Sequence, residues 1–291
     1  MRLSRAGVLF LAGLLPLGLG FRAEVTAALG IWSSSTAYNH CWLILPIALW
    51  LAWTRRDRLV GREAAPTAWA LGPALAFGAA WWLAARLGLM EGRQLAALGL
   101  VLAWFLGVFG VALTRAFAVP LGYLVFLVPF GAFLVPALQH LTTWMIVAGL
   151  DVFGIPHFTD GFIIEIPAGF FLVEEACAGL RFLIASLAFG GLYAAVMFRS
   201  PGRRILVMVL ALVVPILANG LRALGIVLLG HHLGSAEAAA ADHLIYGWVF
   251  FSVVILLLVA AGLPFREDRG APVVRPLYTP PAAPSGSHIN I

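Results

Sequence analysis

The feature that most constrains this chain is the recurrence, along nearly its whole length, of apolar runs long enough to cross a lipid bilayer. A helical crossing needs about 20 predominantly apolar residues, and fewer where its ends are interfacial. Such runs are read at 7–21, 41–53, 67–85, 95–113, 119–138, 178–198, 205–229 and 245–263. The second is short and is expected to extend upstream into 36–40. Composition agrees: 62% of the 291 residues are hydrophobic and 11% are charged, against about 45–50% and about 25% in soluble domains. Inside hydrocarbon every backbone N–H and C=O must be paired within the protein. The expected fold is therefore an all-α polytopic membrane protein of about eight transmembrane helices. This composition excludes disorder, and two cysteines exclude a disulfide scaffold. The first run lacks a small-residue cleavage site and is followed by more apolar sequence, so it is expected to remain as an anchor rather than to be removed.

All 18 basic residues are arginine. The absence of lysine excludes chemistry that needs a side-chain amine, such as a Ser–Lys dyad, a Schiff base or a phosphate-loop lysine. With the N-terminus inside, 13 arginines fall on cytoplasmic segments and 5 (Arg22, Arg86, Arg93, Arg181 and Arg222) at the outer side. That asymmetry orients the chain with both termini cytoplasmic. The basic charge then belongs to membrane topology and does not imply a nucleic-acid partner; membrane lipids are the expected surroundings.

Two regions do not span. Residues 139–177 form the longest outer loop; its start, QHLTTWMIVAGL, suits an interfacial helix. FIIEI and FFLV, joined by Pro167-Ala168-Gly169, then read as a small extracytoplasmic β-hairpin. Residues 1–263 are expected to form the membrane domain. Residues 264–291, rich in proline and small residues, are expected to form a disordered cytoplasmic tail.

Ionisable residues in or beside spans are costly and are functional suspects. Cys177 starts the sixth span at its outer end. Arg222 lies 17 residues beyond Ile205, about 25 Å along a helix, which is near the outer edge of a hydrocarbon core about 30 Å thick. His243 precedes the last span, again outside. Topology alone puts the three in one layer. A thiolate is an acyl-transfer nucleophile, and an adjacent cation or a helix start favours that form. Histidine can pass a proton to the leaving amine and take one from the incoming nucleophile, and a guanidinium can stabilise an oxyanion or hold a carboxylate. Each also has a plain structural role: a buried small hydrophobe for Cys177, a snorkelling cation for Arg222, and a residue of a first helical turn for His243, with Asp242 as cap.

EEACAGLR (174–181), ANGLRALGIVLLGHH (218–232) and DHLIYGWVFF (242–251) together resemble the three signature segments of the exosortase family, and YNHCWLILPIALWLAWTRR (38–56) resembles its second-span segment. The resemblance covers most of 36–263, and its last two segments are most similar to exosortase A. It implies a bacterial inner-membrane cysteine transpeptidase, sortase-like in activity but unrelated in fold. Its implied substrates carry a C-terminal PEP-CTERM signal (a Pro-Glu-Pro motif, a transmembrane helix and a basic cluster), and exosortases are associated with exopolysaccharide production. By the same resemblance the catalytic cysteine, arginine and histidine map to Cys177, Arg222 and His243. Cys41 stands where the family usually has glycine after the residue matching His40; a Cys41–Cys177 disulfide is conceivable there but not expected.

Supporting residues are read around this set. Glu175 could orient His243 or pair with Arg181. Arg181, one turn after Cys177, could instead simply pair with Glu174 or Glu175. Asn219 could donate to an oxyanion or tie helices together. His40 lies at the same outer level. His231, His232, Asp242 and His243 lack any ligand spacing, so neither a metal nor another cofactor is expected. The acceptor nucleophile stays open. The rival reading, a transporter or scaffold for exopolysaccharide intermediates, would spread polar groups over several depths, whereas here they concentrate at one.

Overall fold

Runs that are apolar on every face have no side to turn to water, and they satisfy their backbone as helices. The computed structural model, which describes residues 2–234 and 243–268, shows α1 (Leu3–Gly20), α2 (Arg22–Ser34), α3 (Cys41–Trp53), α4 (Leu71–Arg86) and α5 (Met90–Ala116). There follow α6 (Ala118–Tyr123), α7 (Val135–Phe153), α8 (Leu180–Met197), α9 (Pro201–Leu233) and α10 (His243–Gly262). Six helical stretches among the described residues are long and apolar enough to cross a membrane, and shorter apolar ones cover Cys41–Trp53, Ala118–Leu127 and Val249–Phe265. The protein is an all-α polytopic membrane protein with one small sheet.

Arginines gather at one end of the bundle and close its helices. Arg55 donates to the carbonyls of Leu51 at 3.0 Å and Ala195 at 3.2 Å. Arg58 donates to Ala116 at 3.0 Å, and Arg204 to Phe198 at 2.8 Å. These acceptors lie at or beside the C-terminal ends of α3, α5 and α8, where carbonyls lack intrahelical partners and the helix dipole favours a cation. Beyond α10, Glu267 accepts from the backbone N–H of Arg199 at 2.5 Å and of Ser200 at 2.8 Å, and it pairs with Arg203 at 3.0 Å. It thereby fastens the chain after α10 to the start of α9. Those N–H donors hold its carboxyl below the ordinary carboxylate range. The fastening is complete above pH about 4.3 and is lost as the pH falls through the lowered pKa. Glu267→Gln is expected to leave the fold intact and to raise the rate of proteolytic cutting after Gly262 in detergent; an unchanged rate would refute this.

Two expected boundaries move. The run 119–138 is not one span. It folds as α6 and two 3-10 turns, Leu124–Leu127 and Ala132–Leu134, before α7 begins. Pro129 removes an N–H and keeps Val128 extended, at ψ 121°, and Gly131 is left-handed at φ 112°, so a helix cannot pass. Nor does α3 extend into 36–40. Those residues are turns, and a separate helix, α2, lies upstream. Ser33, Ser34, Ser35 and Thr36 offer the backbone competing hydroxyl partners.

At 33 residues, α9 is about 50 Å long, well over one hydrocarbon thickness. Its second half runs alongside α7: Thr142 faces Asn219, and Gly220 meets Met145. The expected outer loop 139–177 therefore begins inside α7, a helix long and apolar enough to cross a membrane, and its remainder after Phe153 folds onto this pair. Strands β1 (Phe158–Asp160), β2 (Ile163–Ile166) and β3 (Gly169–Leu172) form an antiparallel sheet in that order, with Ile163 opposite Leu172 and Phe158 opposite Glu165. The expected hairpin is β2–β3, and β1 adds a strand to it. Period-two patterning turns Ile164 and Ile166 inward, where they share a core with Ile146, Leu150, Val173, Ala223 and Val227. The result is a cap of α7, the sheet and the far half of α9 directly over the start of α8.

Candidate active site

Cys177 ends a single 3-10 turn, Glu175–Cys177, between β3 and α8. Gly179 then adopts φ 87° and starts α8, whose unpaired first N–H groups follow Cys177 by a few residues. The turn is tied to α9 through its backbone. The amide of Asn219, 3% exposed, donates to the Cys177 carbonyl at 2.9 Å and to Thr142 Oγ1 at 3.3 Å. Asn219 lies 18 residues into α9, about 27 Å from its start, so Cys177 is held roughly one hydrocarbon thickness from the arginine-rich end.

One turn further along α9, the Arg222 guanidinium lies within electrostatic reach of the Cys177 thiol. It donates to Asn219 Oδ1 at 3.5 Å, the same amide that holds the Cys177 carbonyl, and lies over the Phe182 ring at 5.7 Å. Arg222 Nε is buried and has no hydrogen-bond partner among the described residues. From the other side comes α10. A methyl group on Gly247 would sit 3.6 Å from the Arg222 guanidinium, and Phe251 stacks on Phe182 at 4.8 Å. His243 is one turn before Gly247 and two before Phe251, so its backbone position lies on the helix face that meets Arg222 and Phe182. The His243 side chain and Asp242 lie outside the described residues.

The supporting residues are placed as follows. Glu175 is exposed on the 3-10 turn. Arg181 donates to the Ala176 carbonyl at 3.4 Å and, like Arg222, approaches Phe182. No ion pair of Arg181 with Glu174 or Glu175 forms among the described residues. His40 precedes α3 with its Nε2 3.9 Å from Cys41 Sγ, and burial pushes it toward the neutral form. Cys41 is buried in one apolar cluster with Ala178 and Leu180; its thiol donates to the Phe126 carbonyl at 3.3 Å, and both cysteines are free thiols. No group of three or more metal-ligating side chains occurs among the described residues.

Four contributors were not singled out from the sequence. Thr142 shares Asn219, and Gln139, one turn earlier on α7, donates to the Val173 carbonyl at 2.6 Å and pins the strand leading to Cys177. Their spacing in QHLTT puts both on one helix face, a signal that was present. Gly247 shows only in the packing. Gly179 carries a direct test. A Cβ there would lie 2.6 Å from Asn219 Cγ, on a backbone that costs other residues about 1–2 kcal/mol. Gly179→Ala is expected to lower thermal stability by that order and to impair the site by displacing Asn219; unchanged melting and reactivity of Cys177 toward a maleimide would contradict this.

The fold and this geometry define a polytopic membrane protein whose partly exposed cysteine is linked through Asn219 to a half-buried arginine at the capped end of the bundle. A profile of the transmembrane exosortase family matches residues 32–260. The chain belongs to that family, as its signature segments imply. Membership supports a membrane transpeptidase or sorting role in general, acting on a protein substrate. No curated protein and no solved structure matches the chain.

Proposed function

We propose that this protein is an inner-membrane cysteine transpeptidase of the exosortase A type that cleaves proteins bearing a C-terminal PEP-CTERM signal and sorts them through a thioester. The observation that carries this reading is the link from Cys177 to Arg222: Asn219 holds the Cys177 carbonyl with its amide N–H and accepts from the Arg222 guanidinium with its Oδ1. A substrate helix docks laterally in the bilayer, which leaves its Pro-Glu-Pro segment under the cap. The Cys177 sulfur attacks the scissile carbonyl carbon, and Arg222 stabilises the oxyanion or holds the motif glutamate. The C–N bond breaks as His243 gives its proton to the departing amine. An amine or water then attacks the thioester, His243 takes its proton, and the thiolate leaves. Glu175, Arg181 and His40 line the approach, and the β2–β3 hairpin recognises the motif.

Arginine asymmetry supports a cytoplasmic position for both termini and an outer, periplasmic position for the cap. Such a site would serve envelope and exopolysaccharide assembly. The test is a tagged PEP-CTERM reporter produced in bacterial membranes with and without this protein. A size shift that requires the protein, and that disappears when the motif glutamate of the reporter is replaced, supports the reading. Identical reporter size in all three cases overturns it.

A further inference from the structure

A second buried polar cluster lies away from Cys177, where α1 and α2 meet α5. Glu24, 2% exposed, stands at the start of α2. Its Oε1 accepts from Trp81 Nε1 and Arg93 Nε, each at 2.8 Å, and forms an ion pair with Arg93 Nη2 at 2.7 Å. Its Oε2 has no donor among the described residues. Gln94, 6% exposed, donates to the Glu24 carbonyl at 3.2 Å, and its own Oε1 is likewise without a donor. Two acceptors close together in space are thus buried and unpaired among the described residues, a costly state unless a donor arrives.

Both residues line one cavity of about 290 Å³, whose other walls are apolar: Leu17, Ala28, Leu98, Val101 and Leu127 among them. Val25 and Leu29, which also line it, are 47% and 36% exposed. On a membrane protein such side chains face lipid, so the cavity opens sideways into the bilayer. Its occupant must therefore carry a hydrocarbon chain. At the polar end it must supply at least two N–H or O–H donors to acceptors of which one is a carboxylate oxygen.

We propose that this groove is a binding site for a phospholipid with a primary ammonium head group. The ammonium has three donors, enough for Glu24 Oε2 and Gln94 Oε1, and its charge complements the carboxylate. The adjoining phosphate falls to Arg93, whose side chain is 25% exposed beside Glu24. A trimethylated head group offers no donor, and a glycerol head group offers donors without the charge. The site concerns lipid binding alone and stands whether or not Cys177 is a nucleophile.

The test uses the full chain, purified in detergent, stripped of lipid and returned to nanodiscs. These contain phosphatidylethanolamine, phosphatidylcholine or phosphatidylglycerol with identical acyl chains. Lipid retained after extraction is counted by native mass spectrometry. Wild type is expected to retain phosphatidylethanolamine at least tenfold over either competitor. Gln94→Leu removes one acceptor, and Val101→Trp fills the groove without touching the polar pair. Both are expected to abolish the preference while eluting and melting as wild type. Glu24→Gln, which also disturbs Arg93, is the secondary variant. Equal retention of phosphatidylcholine, equal retention of phosphatidylglycerol, no retained lipid, or a preference that survives both Gln94→Leu and Val101→Trp would each overturn the assignment.

Discussion

Cys177→Ala is expected to stop reporter processing altogether, with uncut reporter accumulating at its full size and the variant present in the membrane at wild-type level. The sulfur is the one atom of the proposed chemistry that forms a bond to substrate, and loss of a nucleophile of this kind costs up to about 10⁶ in rate. Abundance is expected to hold because the residue is only half-buried and its structural tie is through its backbone carbonyl, which alanine keeps. Cys177→Ser keeps the shape and loses the sulfur; it is expected to be nearly as inactive. Cys41→Ala is the internal contrast. Cys41 is 1% exposed and packed in an apolar cluster, so its loss should touch stability and not chemistry. Processing by Cys177→Ala at the wild-type rate would remove the sulfur from the mechanism.

The second large effect is at Arg222. Arg222→Met is expected to lower processing by about 10²–10³, the loss typical when one oxyanion donor is removed. Arg222→Lys is expected to recover little of it. A lysine keeps the charge but not the planar fork that reaches Asn219 while lying over Phe182. Arg181→Lys is the comparison: among the described residues that side chain is tied to the Ala176 carbonyl and the Phe182 face, and its replacement is expected to cost far less than that of Arg222. Equal rates for Arg222→Met and wild type would leave Arg222 as packing.

How far these sites were legible depends on what kind of physics places each one. The layer shared by Cys177 and Arg222 follows from helix rise and span length alone, because α8 and α9 are antiparallel neighbours and the rise per residue is fixed. The arginine asymmetry and the β2–β3 hairpin are local in the same sense: residue type and spacing carry them. Three other features are not local. The break at Val128–Gly131 sits inside a run whose hydropathy suits a span, and only Pro129 and Gly131 contradict it. Helix α2 carries a charged first turn because Glu24 is answered from α4 and α5 by Trp81 and Arg93, 57 and 69 residues away. The roles of Thr142 and Gln139 depend on α7 running parallel to the far half of α9, which follows from the length of α9 and the fold of its cap.

The central claim, that Cys177 is the nucleophile of a thioester pathway, is tested most directly by looking for the bond itself. Membranes holding wild-type protein and the reporter would be quenched in acid, and the Cys177 peptide read by mass spectrometry, with and without neutral hydroxylamine. The account predicts a reporter fragment joined to Cys177, removed by hydroxylamine with appearance of the reporter hydroxamate, and absent from Cys177→Ala. A reporter that is cut while Cys177 is never acylated, with cutting indifferent to hydroxylamine, would contradict it.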